Sequence, residues 1–469
     1  MRKLLFCFFL TVLLLSNYLE SYSQEHVFIS KINIYGNIKT DSKIILRELP
    51  FKTGEFVNIE DIPILLKEAR NNLLNLSLFN IVQVYESHAQ NSCNNYADSE
   101  VTIIIEERWY YWPLFGIILE EKSMGNWLKD PDWNYVTLET GIKANNIAGK
   151  NQTLKAVMTN GFNKGFYFEY SNINLSPNQK HLMDIIFKRS YSRVENVLSL
   201  NDQPYYIKSD STYLNSSYST TVTYTYRHSI HTRHKITADF TYKELDPAVL
   251  NENANYWGCQ ELKRRAYSLS YELVHDKRDK IQYPHNGYFL RTNIGGYTTN
   301  RFDIRHFSIN GDLHYYGTLV DRLFYSARLQ GGYSWSNTGG YIFDRAIGYD
   351  LVTMRGYYKY VADGQKYMIF SPTIKYNILP QTQYYLKFIP SLPKFNKFYF
   401  SLYGRIFSDI GYAWHNSPAE HNSLSNQLLY SLGAGLDIVA YYDITLALDY
   451  TLNHFGEHNF HISLSKPIK

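Results

Sequence analysis

From Tyr110 to Ser465 the chain runs as a succession of roughly ten-residue segments in which apolar and polar residues alternate between turn residues. Val222, Tyr224 and Tyr226 alternate with Thr221, Thr223 and Thr225; Leu446, Leu448 and Tyr450 alternate with Thr445, Ala447, Asp449 and Thr451. Successive side chains of a strand point to opposite faces, so each segment offers one apolar and one polar face. Many such segments in a row suit a transmembrane β-barrel, apolar toward lipid and polar toward its lumen. They fall near 111–120, 135–145, 152–162, 165–175, 181–195, 213–227, 234–246, 263–278, 288–300, 301–317, 323–336, 368–379, 396–414, 428–442, 444–455 and 459–465. That makes sixteen, an even number, as a closed bacterial barrel requires. The 44 Tyr, 26 Phe and 7 Trp agree with this, because amphipathic rings collect at both lipid–water boundaries.

The chain before the barrel differs. Arg2 and Lys3, the apolar run Leu4 to Leu15 and Ser21-Tyr22-Ser23 read as a secretory signal over residues 1–23, with Cys7 inside it. No later apolar run reaches the length of a transmembrane helix. Residues 24–108 predict the order β-α-α-β-β. Phe28 to Ile34 form a strand that ends at Tyr35-Gly36-Asn37. Thr40 and Asp41 are cap residues before a helix carrying Ile44, Ile45 and Leu49. A second helix aligns Ile62, Leu65, Leu66, Ala69, Leu73 and Leu76, with Pro63 in its first turn. Strands follow at Ile81 to Tyr85 and Val101 to Ile105. The expected sheet is three-stranded, covered by two helices, with one edge free for an extended peptide.

With this domain on the inner side, odd strands run outward. The long connections 196–212, 247–262, 337–367 and 415–427 then lie outside the cell, and most short ones lie in the periplasm. The connection 380–395, with Pro380, Pro390 and Pro393, is a long inner exception. Cys93 and Cys259 fall on opposite sides, so no disulfide and no metal site are expected. His228, His231 and His234, and His454, His458 and His461, are read as solvated turn histidines, because no carboxylates accompany them at chelating spacing. Glu120-Glu121-Lys122 is read as a solvated charge run. No nucleophile elbow, phosphate loop or zinc-protease helix occurs, so neither catalysis nor a cofactor is expected. A net charge of +4, spread along the chain, gives no arm for nucleic acid.

Three stretches carry a resemblance. Met354-Arg355-Gly356-Tyr357, in the sixth outer loop, resembles the Val/Leu-Arg-Gly-Phe/Tyr signature of the BamA/TamA superfamily (bacterial surface antigen family) of outer-membrane barrels. Asp276-Lys277-Arg278-Asp279 with Pro284 and Gly287 resembles the family's periplasmic turn element after the eighth strand, read here as a tight return. Phe407, Asp409 and Gly411 resemble its Phe-x-Asp-x-Gly element on the thirteenth strand. The leading domain, with Asn37 and Glu106-Glu107-Arg108, resembles a single POTRA domain. Met354 replaces the usual Val or Leu, and Lys466-Pro467-Ile468-Lys469 follows a last strand that in many relatives ends on an aromatic residue.

The fold expected is therefore mostly β: a sixteen-stranded antiparallel barrel over 109–469, preceded by the POTRA-like domain at 24–108. The resemblance implies a location in the outer membrane. It also implies insertion of barrel proteins there, with secretion of a dedicated polypeptide as the alternative and a passive porin-like channel as a third reading. Partners would be outer-membrane lipid, unfolded polypeptide clients at the POTRA edge and accessory assembly proteins. Pro113 and Gly116 in the first strand, and Phe460, Ile462 and Leu464 in a short last strand that meets Pro467, point to a weak seam between the two. The resemblance further implies that Arg355 meets Asp409 inside the barrel. Residue chemistry agrees: Phe407 and Asp409 share a face, and an aspartate facing lipid would be costly, so that face is lumenal.

Overall fold

The computed structural model describes residues 26–88, 97–120, 133–349, 352–385, 397–417, 422–440, 442 and 444–465. The expected leader, Cys93, Glu121, Lys122, Leu351, Pro390, Pro393 and the end from Lys466 to Lys469 lie outside the described residues.

The N-terminal unit holds β1 (His26–Tyr35), a helix at Ser42–Leu46, β2 (Phe56–Asn58), a helix at Ile62–Asn75, β3 (Phe79–His88) and β4 (Ala97–Glu107). The Asp41 side chain caps the first helix by accepting from the Lys43 amide, and Pro63 sits at the start of the second, where a missing N–H costs little. Ile44, Ile45, Ala69, Leu73, Val101 and Ile103 form its dry centre. The sheet order is β2-β1-β4-β3, so it has four strands rather than the expected three. Phe56–Asn58 is too short to show a period in the sequence, yet it pairs with the start of β1 and covers that edge. The long free edge is therefore β3.

The barrel sheet begins with β5 (Tyr111–Leu119), β6 (Val136–Ile147), β7 (Gln152–Gly161), β8 (Lys164–Asn174) and β9 (His181–Ser192). Next come β10 (Val194–Leu200) and β11 (Gln203–Lys208), which pair only with each other. The sheet resumes with β12 (Asn215–Arg227), β13 (Thr232–Leu245), β14 (Lys263–Asp276), β15 (Gly287–Thr299), β16 (Arg305–Val320) and β17 (Leu323–Ser336). A loop holding the short pair β18 (Arg345–Ile347) and β19 (Ala362–Asp363) leads to β20 (Lys366–Tyr385). The sheet ends with β21 (Lys397–Trp414), β22 (Leu428–Ala440), β23 (Ile444–Asn453) and β24 (His458–Ser465). Sixteen strands form one antiparallel ladder from β24 to β5.

Three connections differ from expectation. β20 continues through Pro380, which the sequence pattern assigns to a connection; the register shifts between Leu379 and Thr382, and a bulge lets a strand carry a residue without an N–H. The long connection expected at 196–212 contains the β10–β11 hairpin, and that at 247–262 contains a helix at Pro247–Glu252. These bury Val197, Leu214, Leu245, Val249, Tyr256 and Trp257 together.

The N-terminal unit is docked on the inner rim of the barrel. Arg227 Nη1 and Nη2 donate to Glu48 Oε1 and Oε2, each at 2.9 Å, and Arg47 Nε reaches Glu48 Oε1 at 2.8 Å. Burial pushes the Glu48 carboxyl up, but Arg227 and then Arg47 outweigh it and hold it below the usual carboxylate range. Glu48 lies in the turn just after the first helix and is buried there, a position where an unpaired carboxylate would be costly.

Candidate functional site

The loop between β17 and β20 folds back into the barrel. Met354 and Tyr357 are buried with Ile347, Ile369, Ala413, Leu424 and Leu429. Between them Arg355 meets Asp409 of β21. Its Nε lies 3.1 Å from both carboxylate oxygens, its Nη2 lies 2.5 Å from Oδ1, and its backbone amide donates to Oδ2 at 2.8 Å. Nη1 donates to Thr373 Oγ1 on β20 at 3.1 Å, and the guanidinium carbon stands 4.0 Å from the centre of the Phe407 ring. A fork-on-carboxylate pair of this kind fixes direction as well as adding energy. Asp409 is only 1% exposed, as alternation along β21 demands of the lumenal face.

Glycines make the space. A Cβ at Gly411 would stand 2.9 Å from Met354 Sδ, and one at Gly433 would stand 2.5 Å from the Phe407 ring. Gly356 takes φ +86°, a left-handed conformation that puts its carbonyl within reach of β23. Ser431 Oγ donates to the Arg355 carbonyl at 2.7 Å, and Asn453 Nδ2 donates to that of Gly356 at 3.1 Å. The Tyr357 hydroxyl donates to the Tyr430 carbonyl at 2.9 Å and bonds His454 Nδ1. Tyr358 stacks on His461 of β24, the rings 3.7 Å apart. The loop tip is thus tied to five consecutive strands, β20 to β24.

Deeper on the same wall, Arg405 Nη2 donates to Asp449 at 2.6 Å, and its Nε lies 3.0 Å from Asp437 Oδ1, misaligned for a hydrogen bond but paired in charge.

A sixteen-stranded ladder behind a small α+β unit, with an Arg-Gly loop clasped by an Asp-x-Gly strand, is the arrangement that the comparisons with known proteins address. The sequence pattern of the Omp85 superfamily domain matches residues 146–368, and that of the surface antigen variable number repeat, POTRA, matches residues 27–108. The chain thus carries an Omp85 superfamily domain and a POTRA domain. No curated protein sequence matches it. Among solved structures it is similar to BamA from Haemophilus ducreyi lacking POTRA domains 1–3, at 13% identity over 94% of this chain and 85% of that one, with a TM-score of 0.50. It is also similar to CdiB from Escherichia coli, at 12% identity over 94% of this chain and 75% of that one, with a TM-score of 0.50. At such identities the likeness is one of fold. The protein is an outer-membrane β-barrel with its POTRA domain in the periplasm.

The other motif residues take distinct places. Arg278 pairs with Asp276 at 2.6 Å, both buried, and Asp279 Oδ1 accepts from the amides of Lys280, His285 and Asn286 at 2.8, 3.0 and 3.2 Å. Pro284 is buried, and Gly287 takes φ +100° at a place where a Cβ would strike the Lys277 carbonyl. The segment is not the tight return expected. Its ten residues between β14 and β15 are folded by the Asp279 carboxylate into a compact loop.

The seam residues lie at the two ends of the ladder. Among the described residues no strand pairing joins β5 to β24. Pro113 of β5 has no N–H to offer, Gly116 faces inward, and Phe460, Ile462 and Leu464 of β24 are exposed on the lipid face. The rim beside the seam is held by aromatic contacts: Trp112 of β5 packs edge-on against Tyr442 of the β22–β23 turn at 5.1 Å.

The histidines are not all solvated. His231 Nε2 lies 3.2 Å from Glu68 of the POTRA helix, and its Nδ1 lies 2.8 Å from the Asp276 carbonyl. His454 and His461 hold the loop tip, while His228 is exposed and His234 and His458 bond tyrosine hydroxyls. Glu120 accepts from Asn163 Nδ2 at 2.7 Å rather than standing free in solvent. Cys259 lies with Glu261 and Asp303, a grouping hidden in the sequence because the turn before β16 supplies the third residue. Sequence reasoning also missed Thr373, Ser431, Asn453 and Glu48. Only Glu48 gave a signal, as a charge between the apolar positions Ile44, Ile45 and Leu49.

Proposed function

We propose that this protein inserts β-barrel polypeptides into the outer membrane, taking a client strand at the seam between β5 and β24, with the exposed β3 edge of the POTRA domain receiving the unfolded client. The observation that carries the reading is the ladder that ends at β5 and β24 with, among the described residues, no strand pairing between them. An unpaired edge holds N–H and C=O groups that an incoming strand satisfies, and a client so bound is already part of a sheet. No covalent chemistry is required, and outer-membrane lipid and accessory assembly proteins are the remaining partners.

Secretion of a dedicated polypeptide is the second reading. It would use the lumen, and the loop bound at Asp409 would have to leave first. That loop counts against a passive porin-like channel, since the Arg355–Asp409 clasp stands in the path. Cysteine pairs at Ile117 and Ile462, with neighbouring registers, should crosslink across the seam and abolish client insertion into vesicles. Full insertion by crosslinked protein would exclude the seam. Lost insertion with intact export would assign the two activities to different routes.

A further inference from the structure

The loop from Lys277 to Asn286 crosses the periplasmic mouth of the barrel. It leaves from β14 and returns to β15, strands eight and nine of the ladder, yet Gln282 Nε2 donates to the Ala440 carbonyl at 2.8 Å and lies 3.4 Å from that of Ile444. Those carbonyls flank the turn between β22 and β23, the fourteenth and fifteenth strands. Beside Gln282, Tyr283 is buried in the mouth. Its hydroxyl donates to Asp437 at 2.7 Å, its ring lies 4.5 Å from that of Tyr403, and Lys375 Nζ stands 4.4 Å above it. His285 stacks on Phe324 at the start of β17, the rings 4.0 Å apart. The loop therefore holds one wall of the barrel to the opposite wall.

Its outer side is held by the POTRA domain. Asn75, the last residue of the helix Ile62–Asn75, accepts from the Ile281 amide at 2.9 Å and donates to the Asp279 carbonyl at 3.4 Å. On the far side, the turn that Gln282 grips carries Tyr442, whose ring packs on Trp112 and under Arg108 at the entrance to β5. One line of contacts thus runs from the POTRA helix, through the loop, to the hairpin next to the seam.

We propose that the Lys277–Asn286 loop is a strap that closes the periplasmic mouth and transmits the position of the POTRA helix to the β22–β23 hairpin. When the helix moves, Asn75 releases the strap. Gln282 then lets go of the hairpin, and the rim contacts beside the seam loosen. The strap acts as a conformational link, and Asn75 and Gln282 are positioning residues within it. The link goes beyond the proposed insertion activity, and only its activity test rests on that reading.

Hydrogen exchange on the full-length protein in lipid tests the link directly. Asn75→Ala should speed amide exchange about tenfold both in 277–286 and in the 439–445 turn, which Asn75 does not touch. Acceleration confined to 277–286, or absent from both, overturns the proposal. Gln282→Ala should speed exchange at 439–445 while leaving the POTRA helix unchanged, and no acceleration there likewise overturns it. Heat-modifiable migration in gels establishes that each barrel is folded. In a Cys93→Ser, Cys259→Ser background, Gln282→Cys and Ala440→Cys joined by a short cleavable bis-thiol reagent should lower client insertion at least tenfold and recover it on cleavage. Full activity with the strap joined overturns the requirement for release. The exchange experiment needs no client, so it decides the strap whether or not insertion is the activity.

Discussion

Arg355 is bound on every side that a guanidinium offers: a carboxylate, a hydroxyl and an aromatic face. Its side chain is 18% exposed and that of Asp409 is 2% exposed, so losing either partner leaves a charge that little solvent reaches. Removing one partner of such a pair should cost roughly 3 kcal/mol of loop anchoring. Arg355→Ala and Asp409→Ala should each raise protease sensitivity in 337–365, and the double mutant should be little worse than either. Additive effects in that double-mutant cycle would mean that the two side chains do not act together. The lumenal face of Asp409 was legible in the sequence, because lipid excludes a carboxylate; its pairing with Arg355 was implied only by the family resemblance of the two motifs. The residues that clasp the loop backbone were not legible. Ser431, Asn453 and Thr373 are ordinary lumen-facing polar residues, and alternation says which way they point without saying what they meet.

At the scale of elements, strands were legible and loops were not, for one reason. A membrane strand must show its period to lipid, whereas β10, β11 and the helix Pro247–Glu252 cover one another outside the bilayer and carry no obligatory pattern. The same gap hid the strap, whose Tyr283, Pro284 and His285 look like turn residues until their partners across the mouth are known. Burial against Phe324 pushes His285 down to about 4, with Asp279 opposing and Lys280 and Lys375 reinforcing the shift. The docked strap therefore holds a neutral imidazole where a free one would titrate near 6.5. Protons favour the undocked form throughout that interval, so docking is fully present above it and weakens as pH falls from about 6.5 toward 4. Exchange at 277–286, normalised to intrinsic rates, should accelerate on acidification across that window. His285→Gln should flatten the profile, and an equal response in wild type and variant would assign the effect to another group.

Across the whole molecule the strands are unequal. β20 and β21 run for 20 and 18 residues, whereas β24 has 8 and β5 has 9. At about 3.3 Å per residue and a tilt near 40°, the eight described residues of β24 span roughly 20 Å along the membrane normal, and the nine of β5 roughly 23 Å, each less than the roughly 25 Å apolar band of an outer-membrane barrel. A bilayer meeting so short a wall must dimple toward it, and the elastic strain of that mismatch concentrates beside β24. Depth-dependent quenching of a fluorophore at Ile462 should place it nearer to the headgroups of both leaflets than one at Ile406 on β21; equal depths would mean that the membrane is flat there. A dimpled bilayer has disordered acyl chains and a thinner barrier to polar backbone. The barrel would thus soften its own solvent at the place where a new strand has to enter, with the work of deformation already done when the barrel itself was inserted.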